Sequence, residues 1–210
     1  MTDRYAVMRA IDAITQEMVA NKEFLIELDS RNGDGDLGIS MVEGFSAVRR
    51  YLAVSDVEDI GKLFMQCGMT FNEAAPSSLG TIISFGFLGM GKSLRGHETI
   101  TFEQFAQAFD DGIKNIKQRA KSNEGEKTIL DALCPASRAF MAYVGDPETA
   151  LRIAAAAAEN GSDATRDMSA VHGRAARYPG GSLGLIDGGA VAGALIVKGI
   201  MEAGTKEERE

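Results

Sequence analysis

TFEQFAQAFDDGIKNI, residues 101–116, sets Phe102, Phe105, Phe109, Ile113 and Ile116 three or four residues apart. That spacing holds the five side chains on one face of a 3.6-residue helix and makes the clearest amphipathic stripe in the chain. Thr101 and Gln104 in front of it form a capping box, each side chain able to satisfy the other residue's free backbone N–H. The same period recurs on both sides. Upstream, Met8, Ile11, Ile14, Met18, Leu25 and Leu28 mark a helix over 4–28, and a shorter one follows over 39–53. Asp56 starts a third, with the stripe Ile60, Phe64, Cys67, Phe71, and Ser77 or Ser78 caps a fourth that reaches about Leu94, before Gly96. Downstream, a helix runs from Glu126 to Tyr143, bent at Pro135 because proline removes a helical hydrogen bond. Asp146-Pro147 opens an alanine-rich helix to about Gly173, and the Gly-rich segment 180–189 leads into a last helix over 190–203.

No stretch shows convincing strand alternation, and no hairpin dipeptide separates apolar runs. TIISF at 81–85 is the one ambiguous piece. Without a repeat or a dividing linker, residues 1–210 read as a single all-α domain of eight helices, with 204–210 a solvated tail. Apolar content of 45% and charged content of 25% fit a soluble globular chain. The net charge of −8 argues against nucleic-acid and anionic-membrane partners, which need basic surface. Cys67 and Cys134 lie in apolar stretches without metal-type spacing and read as buried free thiols. The N-terminus is unlike a secretory signal and no run of about 18 apolar residues occurs, so a cytoplasmic protein is expected.

Three motif matches fail on context. Gly86-Phe-Leu-Gly-Met-Gly91-Lys92-Ser93 satisfies the phosphate-loop pattern, but Gly96 follows too soon for the long helix that such a loop requires. Its glycines read instead as a place of close helix packing. Gly33-Asp-Gly35-Asp-Leu-Gly38 fits a dinucleotide fingerprint, yet it follows a helix, and Asp34 and Asp36 would repel a pyrophosphate. The same stretch resembles a calcium loop from Asn32 to Glu43, but Leu37 stands where the sharp turn needs glycine, and no second loop is present.

What remains is Asp29-x4-Asp34-x-Asp36 on a glycine-rich turn. Three converging carboxylates repel one another, so a hard cation such as Mg²⁺, Mn²⁺ or Ca²⁺ is their natural occupant; the bland alternative is a solvated acidic turn. Other segments supply what a nucleotide needs. Ser77-Ser78-Leu-Gly80-Thr81 is a run of small residues at a helix start, where N–H groups attract phosphate. Arg174 can make a bidentate phosphate contact or lie on the surface, and Asp187-Gly188-Gly189 opens the last helix. Lys127-Thr128 and His172 read first as a helix start and a surface or structural histidine.

Together, LDSRNGDGDLGISMVEGF, PSSLGT, GEKTILDAL and GRAARYPGGSLGLIDGGA resemble, in order, the L subunit of dihydroxyacetone kinases. The resemblance implies an eight-helix antiparallel barrel with the nucleotide at one end. It implies that Asp29, Asp34 and Asp36 hold two Mg²⁺ ions bridging the phosphates of ADP or ATP. Leu37, Gly38, Ile39, Ser40, Ser77 and Ser78 would run along those phosphates, and Arg174 would meet one of them. Ala120 and Ile129 would flank the adenosine, with Thr128, Asp187, Gly188 and Gly189 completing the nucleotide contacts. The family binds its ketose on a separate K-type subunit, so this chain would need that partner, with ATP or a phosphocarrier protein as donor. Leu37 and Gly188 depart from the family's usual residues and leave the ketose open. Two other functions fit the same residues: a nucleotide-loaded regulator without chemistry of its own, and a calcium sensor.

Overall fold

In the computed structural model of the chain, the described residues are 2–31, 33–142, 146–177 and 181–206. Asn32, Tyr143, Gly180 and the tail residues 207–210 of the sequence reading lie outside them. The helices are α1 (Arg4–Ala20), α2 (Lys22–Ser30), α3 (Leu37–Val54), α4 (Ile60–Ala74), α5 (Ser78–Ser93), α6 (Phe102–Ala120), α7 (Leu130–Ala142), α8 (Pro147–Ala164) and α9 (Gly188–Lys206). Among the described residues the one β feature is an isolated bridge between Thr2 and Ile100, and TIISF lies inside α5.

Local chemistry sets most of the starts. Asp3, Asp59, Ser77 and Asp146 each accept a backbone N–H in the first turn of α1, α4, α5 and α8. At α6 both halves of the Thr101–Gln104 capping box form, at 2.9 and 3.3 Å. Asp36 stands at the N-cap of α3 without making a capping bond, which leaves its carboxylate for other partners.

The connections turn successive helices antiparallel, and the apolar stripes close them into a ring. The order around it is α1, α3, α4, α5, α6, α7, α8, α9 and back to α1, with α2 against α3. Taking α1 and α2 as one interrupted rod gives the eight-helix barrel that the family resemblance implies. Inside, Phe45 and Phe71 meet edge to face at 4.8 Å, and Phe140 makes T-shaped contacts with Phe105 and Phe109 at 5.4 and 5.2 Å. The stripe that opened the sequence reading thus faces the barrel axis. An apolar cavity of about 190 Å³ remains there, lined in part by Ile11, Phe45, Phe64, Phe87, Phe109 and Ile196. The glycines of the phosphate-loop match sit within α5 and allow close packing: an added Cβ on Gly89 would lie 2.8 Å from Gly112 Cα in α6, and one on Gly91 2.6 Å from Gly61 O in α4. Cys67 and Cys134 are free and buried. No described helix is long and apolar enough to cross a membrane.

The helix expected to start at Asp56 begins at Ile60 instead, because the carboxylate that accepts the first-turn N–H, from Lys62, is that of Asp59. Four further boundaries differ from the sequence reading. The helix over 4–28 breaks at Asn21, whose backbone and side-chain N–H groups both donate to Glu17 O (3.1 and 2.9 Å). Residues 126–129 are loop, because Asp131 accepts from Gly125 N and Thr128 N (2.5 and 2.6 Å) and Lys127 takes a left-handed φ of 61°. The alanine-rich helix stops at Ala164, not Gly173, and gives way to a 3₁₀ turn, Thr165–Asp167. At the far end α9 continues to Lys206, over the first residues read as tail.

Candidate nucleotide and metal site

Because the ring alternates in direction, α3, α5, α7 and α9 all begin at the same end. Close approaches bring these starts together. A Cβ on Gly188 would lie 2.6 Å from Leu37 Cδ2, and one on Gly189 would lie 3.5 Å from Ile129 N and 3.9 Å from Leu79 Cδ1. The N-terminal N–H groups of four helices therefore converge on one face, each carrying the positive end of a helix dipole. Such a face favours an anion with several oxygens.

The acidic loop borders the start of α3. Asp29 lies in the last turn of α2, and Asp34 and Asp36 follow in the connection to α3. Ligand oxygens of the three carboxylates all lie within 4.8 Å of one another. Asp29 Oδ2 accepts from Gly35 N and Asp36 N (2.8 and 3.1 Å), which folds the loop back onto its carboxylate. Glycine is required where the loop turns: a Cβ on Gly33 would sit 2.1 Å from Asp29 Oδ1, and Gly35 has a φ of 75°. Partial burial, followed by the charges of Asp34 and then Asp29, raises the Asp36 pKa above its ordinary value, and the Arg174 charge opposes this. Clustered carboxylates whose own repulsion resists ionisation fit a hard divalent cation, which would relieve that repulsion.

Arg174 reaches the cluster from the segment between α8 and α9, its Nη2 2.6 Å from Asp34 Oδ2. At the base of that segment Asp187 Oδ2 accepts from Ala190 N at 2.7 Å and caps α9. Burial pushes the Asp187 carboxyl up to about 6 despite the backbone N–H groups of Ala190 and Gly189 and the Lys127 charge. Of the other sequence-expected residues, Leu37, Gly38 and Ser40 are buried in the first turn of α3, with Ile39 exposed beside them. Ser77 caps α5 through Gly80 N (3.1 Å), and Ser78 is exposed as its first residue. Thr128 N is held by Asp131 and Ile129 is buried by Gly189. Ala120 ends α6, packed on the core at the same end of the ring.

Sequence reasoning missed the frame of charges behind this face. Lys127 is 6% exposed, with its ammonium among backbone carbonyls. His172 Nε2 lies 2.6 Å from Glu126 Oε2 and joins the α8–α9 segment to the loop before α7. Glu126 is held down at about 2, first by the Asn123 N–H and then by His172. The stretch GEKTILDAL carries Glu126, Lys127 and Asp131, but no spacing rule marks a lysine for burial.

The family model described as the DAK2 domain matches residues 32–202. The chain belongs to the DAK2-domain family. Among curated relatives, the ADP-binding subunit DhaL of a PEP-dependent dihydroxyacetone kinase 1 from Listeria innocua is 28% identical, over 95% of this chain and 96% of the relative. The ADP-binding subunit DhaL of the PEP-dependent dihydroxyacetone kinase of Escherichia coli is 30% identical over 81% of this chain and 82% of its own length. Among solved structures, the dihydroxyacetone kinase of C. freundii in complex with AMP-PNP and Mg²⁺ superimposes with a TM-score of 0.74 at 24% identity, over 93% of this chain. The chain spans about a third (33%) of that enzyme, and the likeness establishes the helical fold.

Proposed function

We propose that this chain is the nucleotide-binding subunit of a dihydroxyacetone-type kinase, holding ADP or ATP with two Mg²⁺ ions and passing a phosphoryl group to a small ketose on a separate K-type subunit. The observation that carries the proposal is the meeting, on one face, of three carboxylates within 4.8 Å and four helix N-termini. Carboxylates alone suit a bare cation and helix starts alone suit a bare anion; side by side they suit a metal–phosphate pair. Membership of the DAK2-domain family and the names of the bacterial relatives support the same reading.

In this account Asp29, Asp34 and Asp36 hold the metal, which when bound supplies charge neutralisation at the phosphate oxygens. Arg174, now paired with Asp34, would contribute a permanent positive charge toward a phosphate oxygen. The first turns of α3, α5 and α9 would donate backbone N–H groups to the phosphates at Leu37–Ile39, Ser78 and Gly188, while Ser40, Ser77, Asp187 and Gly189, whose N–H groups bond within the protein, line the same face. Thr128, Ile129 and Ala120 border the nucleoside. The ketose hydroxyl and the group that takes its proton belong to the partner subunit. The words 'PEP-dependent' and 'ADP-binding subunit' in the names of the bacterial relatives favour, of the two donor schemes, the one with ADP recharged on the chain over exchange of ATP.

The test is reconstitution. The chain is mixed with a K-type subunit, dihydroxyacetone and either ATP or a phosphorylated carrier protein, and the ketose phosphate is measured. Product that depends on all components is expected. No product with either donor, from a chain that does bind Mg-ADP, removes the kinase assignment and leaves a nucleotide-loaded regulator.

A further inference from the structure

We infer that Lys127 is a positioning residue for the nucleotide site, a cationic clamp that fastens both limbs of the α8–α9 segment and so holds Arg174 and Asp187 in place. The inference rests on the nucleotide reading above for its functional half only. The Nζ of Lys127 donates to Thr165 O at 2.6 Å and Met168 O at 3.2 Å on the limb leaving α8. It also donates to Ser182 O at 2.8 Å and Leu185 O at 2.5 Å on the limb returning to α9. Arg174, which pairs with Asp34, lies between the two limbs, and Asp187 lies two residues past the last carbonyl.

Several features make this arrangement more than a buried surface lysine. An ammonium carries three protons, so four carbonyls around it form a cage in which the charge, and not only individual bonds, is the binding element. The residue is 6% exposed, an environment that a lysine tolerates only when its charge is compensated. Burial accordingly lowers its pKa, with Asp187 and Asp131 opposing. Lys127 also keeps a left-handed φ of 61°, which costs a non-glycine residue energy and persists only where its surroundings enforce it. The neutral ties of the segment each join it at a single place: Asp187 N to Thr165 Oγ1 at 2.9 Å, Gly184 N to Arg166 O at 2.8 Å, and Ala170 N to Ser182 Oγ at 3.0 Å. Lys127 gathers four carbonyls from both limbs at one atom and joins them to the loop that precedes α7.

Lys127→Met keeps the aliphatic stem and removes the charge. In the ligand-free protein, amide exchange at Met168, Ala170, Gly184 and Leu185 is expected to accelerate by at least about 10-fold, with α1–α6 unchanged. The Kd for Mg-ADP is expected to rise by about 10- to 100-fold, the span associated with hydrogen bonds to a charged group. Lys127→Ala leaves room for the missing three carbons and nitrogen, so propylammonium chloride should recover both protection and affinity. Tetramethylammonium chloride, which cannot donate a hydrogen bond, should recover neither.

Unchanged exchange in Lys127→Met, or equal recovery in the two salts, overturns the clamp. Altered exchange with unchanged Mg-ADP affinity overturns its role in the site. If Lys127→Met does not fold, Lys127→Ala refolded in each salt decides: folding in propylammonium alone supports the clamp, and the same outcome in both overturns it. If the wild-type chain does not bind Mg-ADP, the kinase-subunit reading fails, while the exchange measurement still decides the clamp.

Discussion

Asp36→Asn should make the ligand-free protein more stable while removing its response to Mg-ADP. The substitution keeps the size of the side chain and deletes one of three charges whose oxygens lie within 4.8 Å of one another. At that separation a like-charge pair costs about 0.9 kcal/mol in water and about 3.5 kcal/mol at an effective dielectric of 20. Asp36 is exposed and Arg174 offsets part of the repulsion, so screening brings the total for the two pairs with Asp29 and Asp34 to about 1 kcal/mol. For a domain of this size that is a rise in Tm of about 2–4 °C. The wild type at a ligand concentration 100 times Kd should gain about 2.7 kcal/mol, or roughly 5–10 °C, a gain that the variant should lack. Thermal melts of both proteins, with and without MgCl2 and ADP, give all four values. A ligand-free Tm below that of the wild type, or an undiminished Mg-ADP shift in the variant, would refute the placement of Asp36 in a repulsive, cation-seeking cluster.

Arg174→Ala breaks only an exposed ion pair with Asp34, so unfolding free energy should change by less than about 1 kcal/mol. Its Kd for Mg-ADP, measured by calorimetry, should rise about 10-fold or more through the loss of a phosphate contact. Asp187 ionises near pH 6 in the fold and near 3.8 when unfolded, so its ionisation costs folded-state stability above that window. That penalty is full above about pH 6 and relieved as pH falls toward 4, and it amounts to at most about 3 kcal/mol. Asp187→Asn should therefore flatten the urea-unfolding stability profile between pH 4 and 6, and an unchanged slope there would contradict the burial assigned to that carboxyl. Calcium alone should leave the amide spectrum of the helices nearly unchanged, whereas a calcium sensor would rearrange.

The helices were legible where one side chain's neighbours lie within a turn of it. The α6 stripe from Phe102 to Ile116, its capping box and the Asp146-Pro147 start of α8 depend on contacts three or four residues apart, which spacing reports directly. Asp29, Asp34 and Asp36 were legible for the same reason: they are close in sequence and joined by glycines whose turns bring them together. What stayed hidden depends on distant partners. The loop before α7 is held by Lys127 reaching carbonyls 38 to 58 residues away, and the same contacts fall just where α8 ends. Asp131 organises that loop from inside the first turn of α7, where a helix-period reading sees only a polar residue. Arg174 by itself reads first as a surface arginine, because its pairing with Asp34 spans most of the chain.

The most direct test of the central claim is calorimetric titration of ADP into the metal-stripped chain, first with MgCl2 and then with a chelator in its place. Binding of one ADP per chain in the presence of Mg²⁺, lost with the chelator and lost in Asp34→Ala, is the predicted result. Equal ADP binding with and without the metal, or unaltered binding by Asp34→Ala, would contradict a site in which the three aspartates hold the cation for the phosphates.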